Sequence, residues 1–310
     1  MTFPIYFDPK KSLNLFGLFD KFDFLKNLYL RKKLPKVLML SGKKGDGKST
    51  LINHLMFYIF DEQNYNINNY TYKANPVFHN QFLNNIYSNI IYLSGSDFKN
   101  IKIDDIRKLK TKIFQTLISN KPRFIILDDV ELFNNSSLNA LLKIIEEPSK
   151  NNYFFLINNQ SKPLLETIKS RCINIKIILN EKSKQEITES LIKKYAIQLT
   201  IDPKCSQLTP GNFIKFNHIL DENSISIDKD FLKNLETLLN LHKKDKNIFF
   251  IDLIFFLTDK YFNNLRAKNI FSNQKIVEYK KYVLNSVNKY IVYNLNPNNL
   301  LNNINNKIND

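Results

Sequence analysis

The residues best suited to chemistry lie between Gly42 and Ser49, in the run Gly42-Lys-Lys-Gly45-Asp-Gly47-Lys48-Ser49. The spacing fits the phosphate-loop pattern G-x-x-x-x-G-K-[ST]. Glycines let successive backbone N–H groups turn towards a polyphosphate, and a helix starting just after them adds the positive end of its dipole. Lys48 would reach the β- and γ-phosphates, and the Ser49 hydroxyl would ligate Mg²⁺. With Thr50, these residues form the candidate cofactor site, for ATP or ADP. The chain has only 6 Gly, and half of them fall here, which sets the stretch apart from an ordinary glycine turn before a helix.

Two carboxylates, Asp128 and Asp129, close the apolar run Phe124-Ile-Ile-Leu127. Asp128 would bind Mg²⁺, usually through water. Asp129 stands where an active hydrolase of the multimeric type places a Glu to polarise the attacking water. An Asp is shorter by about 1.5 Å of reach, and a misplacement of about 1 Å can cost on the order of 100-fold in rate. A solvated strand end would carry the same two residues. Asn158 and Asn159 follow the next apolar run. A polar side chain there, Asn158 being the candidate, can hold the lytic water or the γ-phosphate, and a plain turn has the same composition. Arg171 lies between Ser170 and Cys172 at the start of a strand, a place from which an arginine can project into a neighbouring subunit's nucleotide site and stabilise transition-state charge. Cys172 itself reads as a small buried residue. His54, His79, His218 and His242 are scattered, with no Cys or carboxylate spacing around them, and are assigned neither metal nor catalysis.

The elements that must position these groups follow from periodicity. Val37 to Leu40 reads as a buried strand, and Leu51, Ile52, Leu55, Met56, Ile59 and Phe60 repeat at helical spacing after the loop. A helix is expected over 18–33, stopped by Pro35, with Phe19, Phe22, Leu25, Leu28 and Leu30 on one packed face. Most of residues 61–90, rich in Asn and Tyr, read as an exposed, partly ordered insertion. A strand over 90–93 leaves through Ser94-Gly95-Ser96-Asp97. A helix over 104–119, capped by Asp104, shares Ile106, Leu109, Ile113, Phe114 and Leu117 on one face. After the strand to Asp128, Asn135 or Ser136 caps a helix through Glu147 that Pro148 stops. A strand over 153–157, a short helix over 162–169 and a strand over 173–179 complete the series. Strands alternating with helices predict a mostly parallel sheet with ligand chemistry at the carboxyl ends of its strands. From Glu181 onward only helices are expected, over 182–195, 208–220, 229–243, 246–268 and 274–294, before a frayed Asn-rich tail.

Composition sets the bounds. The chain has 310 residues, 43% hydrophobic, enough for two or three domains. No apolar run is long enough to span a membrane, and the N-terminus lacks the order of a signal peptide. Two cysteines without short spacing, Cys172 and Cys205, point to a reducing cytoplasm and away from disulfides or a zinc cluster. The net charge of +16 suits a nucleic-acid partner or a polyanionic complex, but the basic residues are spread out, as an AT-rich genome alone would leave them.

Taken in order, the phosphate loop, the strand to Asp128, Asn139-Ala-Leu-Leu-Lys143-Ile-Ile-Glu146-Glu147-Pro148 and Ser170-Arg171-Cys172 resemble the AAA+ clamp-loader family of bacterial DNA polymerase III, and its delta-prime type of subunit in particular. Ile103 to Arg107 is similar to the family's helix ahead of the Mg²⁺ strand. The likeness covers roughly residues 15–220. It implies an α/β AAA+ parallel-sheet domain over 1–180, a helical lid over 181–222 and an all-α collar over 223–310. It also implies delta- and gamma/tau-type partners in a five-subunit ring that loads a sliding clamp onto primer–template DNA. In that setting Arg171 would serve a neighbour's site in trans. The departures are Asp129 in place of Glu, Pro210-Gly211-Asn212 where a lid arginine is expected, and no cysteine zinc module in 61–90. They imply a stator rather than a motor, with bound nucleotide in a structural role if it is held at all. A gamma/tau-type ATPase motor is the alternative, and a free-standing basic DNA-binding protein with a relict loop is the third reading.

Overall fold

A computed structural model describes residues 3–96, 103–114, 121–203, 207–227, 230–269 and 271–309. Asp97, Leu117 with the rest of 115–119, and Cys205 lie outside the described residues. Five short runs form one parallel sheet: Val37–Ser41 (β1), Ile90–Ser94 (β4), Arg123–Asp128 (β5), Asn152–Asn158 (β6) and Ile173–Lys176 (β7). Their order is β4-β5-β6-β1-β7. β1 and β5 are buried at every position, as strands covered on both faces must be, which is why they read as continuous apolar runs. The parallel register pairs Ser41 with Asn158 and Ser94 with Asp128, so polar residues gather at one end of an otherwise apolar sheet.

Helices Phe19–Leu30 (α1), Lys48–Phe60 (α2) and Pro76–Leu83 (α3) contribute to the core on one face, with Phe22, Leu55, Phe57, Phe78 and Phe155 in a single cluster. Helices Ile103–Phe114 (α4), Asn135–Ile145 (α5) and Glu166–Lys169 (α6) contribute to the other, where Ile106, Leu109, Leu138, Leu141 and Ile168 pack on Ile125 and Leu127. In α1 only Phe22 and Leu25 are buried, and Phe19 and Leu30 face solvent. Phe114, expected on the packed face of α4, is likewise exposed. Asp104 lies inside the first turn of α4 and pairs with Arg107 at 2.9 Å instead of capping it. The cap of α5 is Asn134, whose side chain accepts from the Ser137 amide.

Residues 61–90 are not an exposed insertion. Tyr65–Asn66 (β2) and Thr71–Tyr72 (β3) form a hairpin, followed by α3 with its Asn75 cap. Tyr72 stacks on Phe57 at 4.4 Å between centroids, and Phe78 and Phe82 meet the same ring edge-on. The tyrosine hydroxyls remain satisfied, Tyr72 donating to Asp61 and Tyr70 to Asp23. Aromatic mass without helical or strand periodicity is what concealed the segment.

The chain divides into two compact units, one comprising residues to 197 with 203–215, the other 198–202 with the residues from 216. Helix Glu181–Tyr195 (α7) belongs to the first, where Tyr195 packs on Tyr6. Pro210–Glu222 (α8) begins in the first unit and ends in the second. The second is otherwise built from Phe231–Asp245 (α9), Phe249–Ala267 (α10), Asn273–Tyr293 (α11) and Pro297–Asn309 (α12). The Asn-rich tail is therefore a helix, not a frayed end: Leu300 and Ile304 are buried four residues apart while asparagines fill most of the other positions.

Candidate functional site

The phosphate loop connects β1 to α2. Gly45 and Gly47 take φ of +91° and +87°, backbone that L side chains rarely adopt. A Cβ at Gly45 would also meet the Asn212 amide nitrogen at 2.9 Å. The strand ends hold the loop's entry: the Gly42 amide donates to the Asn158 carbonyl at 3.2 Å, and the Ile177 amide to the Ser41 carbonyl at 2.7 Å. Lys48 is buried, and its ammonium donates to the carbonyls of Gly42 and Lys43 at 2.9 and 2.7 Å. Burial draws its pKa down to about 8, against the pull of Asp46, Asp128, Glu131 and Asp129. Burial likewise pushes Asp46 up, and its Oδ1 has no hydrogen-bond partner among the described residues. Thr50 is half-buried in the first turn of α2.

Asp128 is the meeting point. Its Oδ2 accepts from Ser49 Oγ at 2.7 Å and from the Tyr92 hydroxyl at 2.6 Å, and its Oδ1 accepts from the Asp129 amide at 2.9 Å. Burial and the charge of Asp129 raise its carboxyl pKa, while the Tyr92 and Ser49 hydrogen bonds oppose the rise. Asp129 sits in the left-handed region at φ 50° and accepts at Oδ1 from Asn159 Nδ2, 2.7 Å away. Asn159, not Asn158, thus touches the carboxylate at the base position. The Asn158 side chain turns to its own loop and accepts from the Gln160 amide at 2.9 Å. Glu131 is also committed: it accepts from the Asn159 amide and from the Ser161 amide and hydroxyl.

The first turn of α8 lies on the loop. Thr209 Oγ1 donates to the Lys44 carbonyl at 2.6 Å and the Gly211 amide to the Gly45 carbonyl at 2.9 Å. Pro210-Gly211-Asn212 supplies no arginine, but Lys215 follows Gly211 by four residues and so shares its helix face. Burial lowers the Lys215 pKa to about 8, with Lys44 repelling its charge and Asp8, Asp128 and Asp129 attracting it. Sequence reasoning missed Tyr92 and Lys215, and of the adjacent Asn158 and Asn159 it chose the one that turns away. The two missed residues carried a signal: Tyr92 alternates with Ser94 along a strand, and Lys215 stands one helical turn past the glycine. Arg171 is separate from this constellation. It is partly exposed, bonded through Nε and NH2 to Glu146 Oε1 at 2.8 and 2.6 Å and through NH1 to the Thr167 carbonyl at 3.0 Å. Cys172 is half-buried, its thiol pushed up to about 12 by burial.

These residues fit a nucleoside polyphosphate with Mg²⁺. The two left-handed glycines leave room for a backbone cradle, Lys48 stands inside it, and Ser49 Oγ and Asp128 offer adjacent hard oxygens. Among the described residues no group of three or more His, Cys, Asp or Glu could hold a metal ion, and no helix is long and apolar enough to cross a membrane.

Comparison with known proteins gives the same family. Residues 20–181, just over half of the chain, match the model described as DNA polymerase III, delta subunit. The DNA polymerase III subunit delta' of Buchnera aphidicola subsp. Schizaphis graminum is 34% identical over 150 residues, covering 47% of this chain and 43% of its own length. The DNA polymerase III subunit gamma of the same organism is 31% identical over 94 residues, covering 30% of this chain and 26% of its own. The chain therefore spans less than half of the length of either relative. Among solved structures, a gamma subunit-related protein of DNA polymerase III from Thermotoga maritima is 16% identical, with a TM-score of 0.47 over 90% of this chain and 96% of its own. The chain belongs to the DNA polymerase III delta-subunit family.

Proposed function

We propose, from that membership, that this chain is a clamp-loader subunit of the delta-prime type in DNA replication, a stator that retains a nucleotide cradle and offers Arg171 to an adjacent ATPase subunit. One observation carries the reading. The carboxylate at the base position, Asp129, is bonded to Asn159 at 2.7 Å and is one methylene short, whereas Arg171 is at the surface, 36% exposed. The groups that would serve the chain's own hydrolysis are engaged inward, and the one that would serve a neighbour faces outward. When bound, Mg²⁺ would neutralise phosphate charge. Lys48 would bind the phosphates, Ser49 and Asp128 would orient the ion, and Asn159 would hold Asp129 away from the attacking water. The proposed partners are delta- and gamma/tau-type subunits in a five-subunit ring, with the sliding clamp and primer–template DNA reached through the complex. Cytoplasmic residence follows from that role.

Reconstituted loader tests it. Arg171→Ala should lower ATPase and clamp-loading rates while the ring still assembles, and unchanged rates would remove the arginine from this account. A gamma-type motor is the second reading, favoured by the intact loop and by the Ser49–Asp128 contact at 2.7 Å. Turnover by the purified chain with DNA and clamp, lost in Lys48→Ala, would establish the motor instead.

A further inference from the structure

Asp128 has a finite number of places for hydrogen-bond donors. A carboxylate oxygen carries two lone pairs, and on Oδ2 both are taken, by Ser49 Oγ at 2.7 Å and by the Tyr92 hydroxyl at 2.6 Å. Oδ1 already accepts the Asp129 amide at 2.9 Å. Ser49 can keep donating to Asp128 while its own lone pairs meet a cation, so its bond is compatible with Mg²⁺. Tyr92 comes from β4 rather than from the loop, and a neutral phenol oxygen is a weak ligand for Mg²⁺, so its bond only occupies the carboxylate. Its O–H bond is short and directed at an anion, which places it among the stronger hydrogen bonds.

The position of Tyr92 is fixed by the sheet. Tyr92 and Ser94 lie on the same face of β4, and Ser94 is paired with Asp128 in the register, so the ring runs along the strand towards the carboxylate. Lys10 Nζ sits 3.8 Å from the ring centroid and holds the ring from outside. Tyr92 is thus anchored at both ends.

We infer that Tyr92 is a positioning residue that competes with a divalent cation for Asp128, so that this phosphate site holds nucleotide with little dependence on Mg²⁺. The inference rests on the reading above that the loop binds nucleotide. It assigns a physical cause, beyond the shortened Asp129, for weak hydrolysis in this subunit.

The test uses the purified full chain and ATP, with affinity measured calorimetrically in EDTA and across a Mg²⁺ titration. Wild-type affinity should change little between the two conditions. Tyr92→Phe should bind ATP as wild type does in EDTA, but should gain affinity as Mg²⁺ is added, on the order of tenfold for the loss of one hydrogen bond to a charged acceptor. Asp128→Asn in the Tyr92→Phe background should abolish that gain. A merely structural tyrosine would weaken binding equally with and without Mg²⁺, and that result overturns the inference. So does a wild-type chain whose affinity already responds strongly to Mg²⁺ with the same midpoint as Tyr92→Phe. Lys48→Ala separates the two claims. If it binds ATP as wild type does, or if wild type binds none, the nucleotide-loop reading fails and this inference falls with it. If Lys48→Ala loses binding while Tyr92→Phe matches wild type throughout, this inference fails alone.

Discussion

The Gly211 amide donates to the Gly45 carbonyl at 2.9 Å, so the first turn of α8 rests directly on the backbone of the phosphate loop. A side chain has no room between them. A Cβ at Gly211 would stand 2.9 Å from Gly45 O and 3.0 Å from Gly45 Cα, backbone atoms with no flexible end to give way.

Gly211→Ala therefore sets two effects against each other. Alanine favours a helix over glycine by up to about 1 kcal/mol. Forcing a methyl group into close-packed backbone costs about 1–3 kcal/mol. Steric cost is expected to win, with a lower urea midpoint and weaker nucleotide binding, because the loop must shift. A variant more stable than wild type would show that α8 does not bear on the loop in solution.

Asn159 and Asp129 should behave as a coupled pair. Asn159→Ala leaves a carboxylate only 6% exposed without its side-chain donor, at a cost of about 1–3 kcal/mol. Adding Asp129→Ala removes the stranded charge and should recover part of that loss. A double-mutant cycle by urea unfolding is expected to give an interaction energy of about 0.5–3 kcal/mol. Strict additivity would mean the contact carries no energy.

How much of this was legible depended on how each feature is encoded. The phosphate loop, Asp128 and the buried strands are local: glycine spacing and continuous apolar runs state them directly. Asn159 against Asp129 and Tyr92 against Asp128 join residues 30 and 36 positions apart, and only the sheet register brings them together. Asn158 and Asn159 are adjacent and chemically alike, so nothing in their order says which turns towards the carboxylate. The aromatic hairpin of 61–90 and helix α12 hid for another reason. Their buried residues are few and flanked by asparagine, which favours turns when nothing packs against it.

Phe57 gives the measure of that hairpin. Its fully buried ring meets Tyr72, Phe78 and Phe82, all contributed by the segment that composition marked as exposed. Phe57→Ala is expected to cost about 3–5 kcal/mol, the range for emptying a core aromatic position. Ile86→Ala, at a residue 69% exposed, should cost almost nothing. Comparable small losses in both would return 61–90 to the status of a dispensable insertion.

Glu146 and Arg171 call for the opposite expectation. Their side chains are 45% and 36% exposed, and an exposed ion pair contributes about 0–1 kcal/mol. Glu146→Gln should leave thermal unfolding nearly unchanged. Any effect it has on a neighbour's ATPase in reconstituted loader would then come from releasing the guanidinium, not from loss of fold. A large drop in melting temperature would instead make this pair a structural bond.

His54 supplies the pH dependence of the fold. The ring is fully buried, with Nε2 3.1 Å from the Ser12 carbonyl and Nδ1 3.0 Å from the Tyr65 hydroxyl. Burial draws its pKa down to about 4, against the pull of the Ser12 and Asn14 carbonyls. The folded chain therefore holds this histidine neutral while the unfolded chain protonates it near pH 6.5. The stability it confers is fully present above pH 6.5 and is lost as pH falls from 6.5 towards 4, a change of roughly 3 kcal/mol for a shift of this size. Asp128 works in the opposite sense, because its raised carboxyl pKa favours the folded state as acid is added. Subtracting the curve of His54→Gln, which can still donate to Ser12, from that of wild type isolates the histidine from such carboxylates. The difference between the two unfolding free energies should close steadily between pH 6.5 and 4. Parallel curves over that window would place the ring in contact with water.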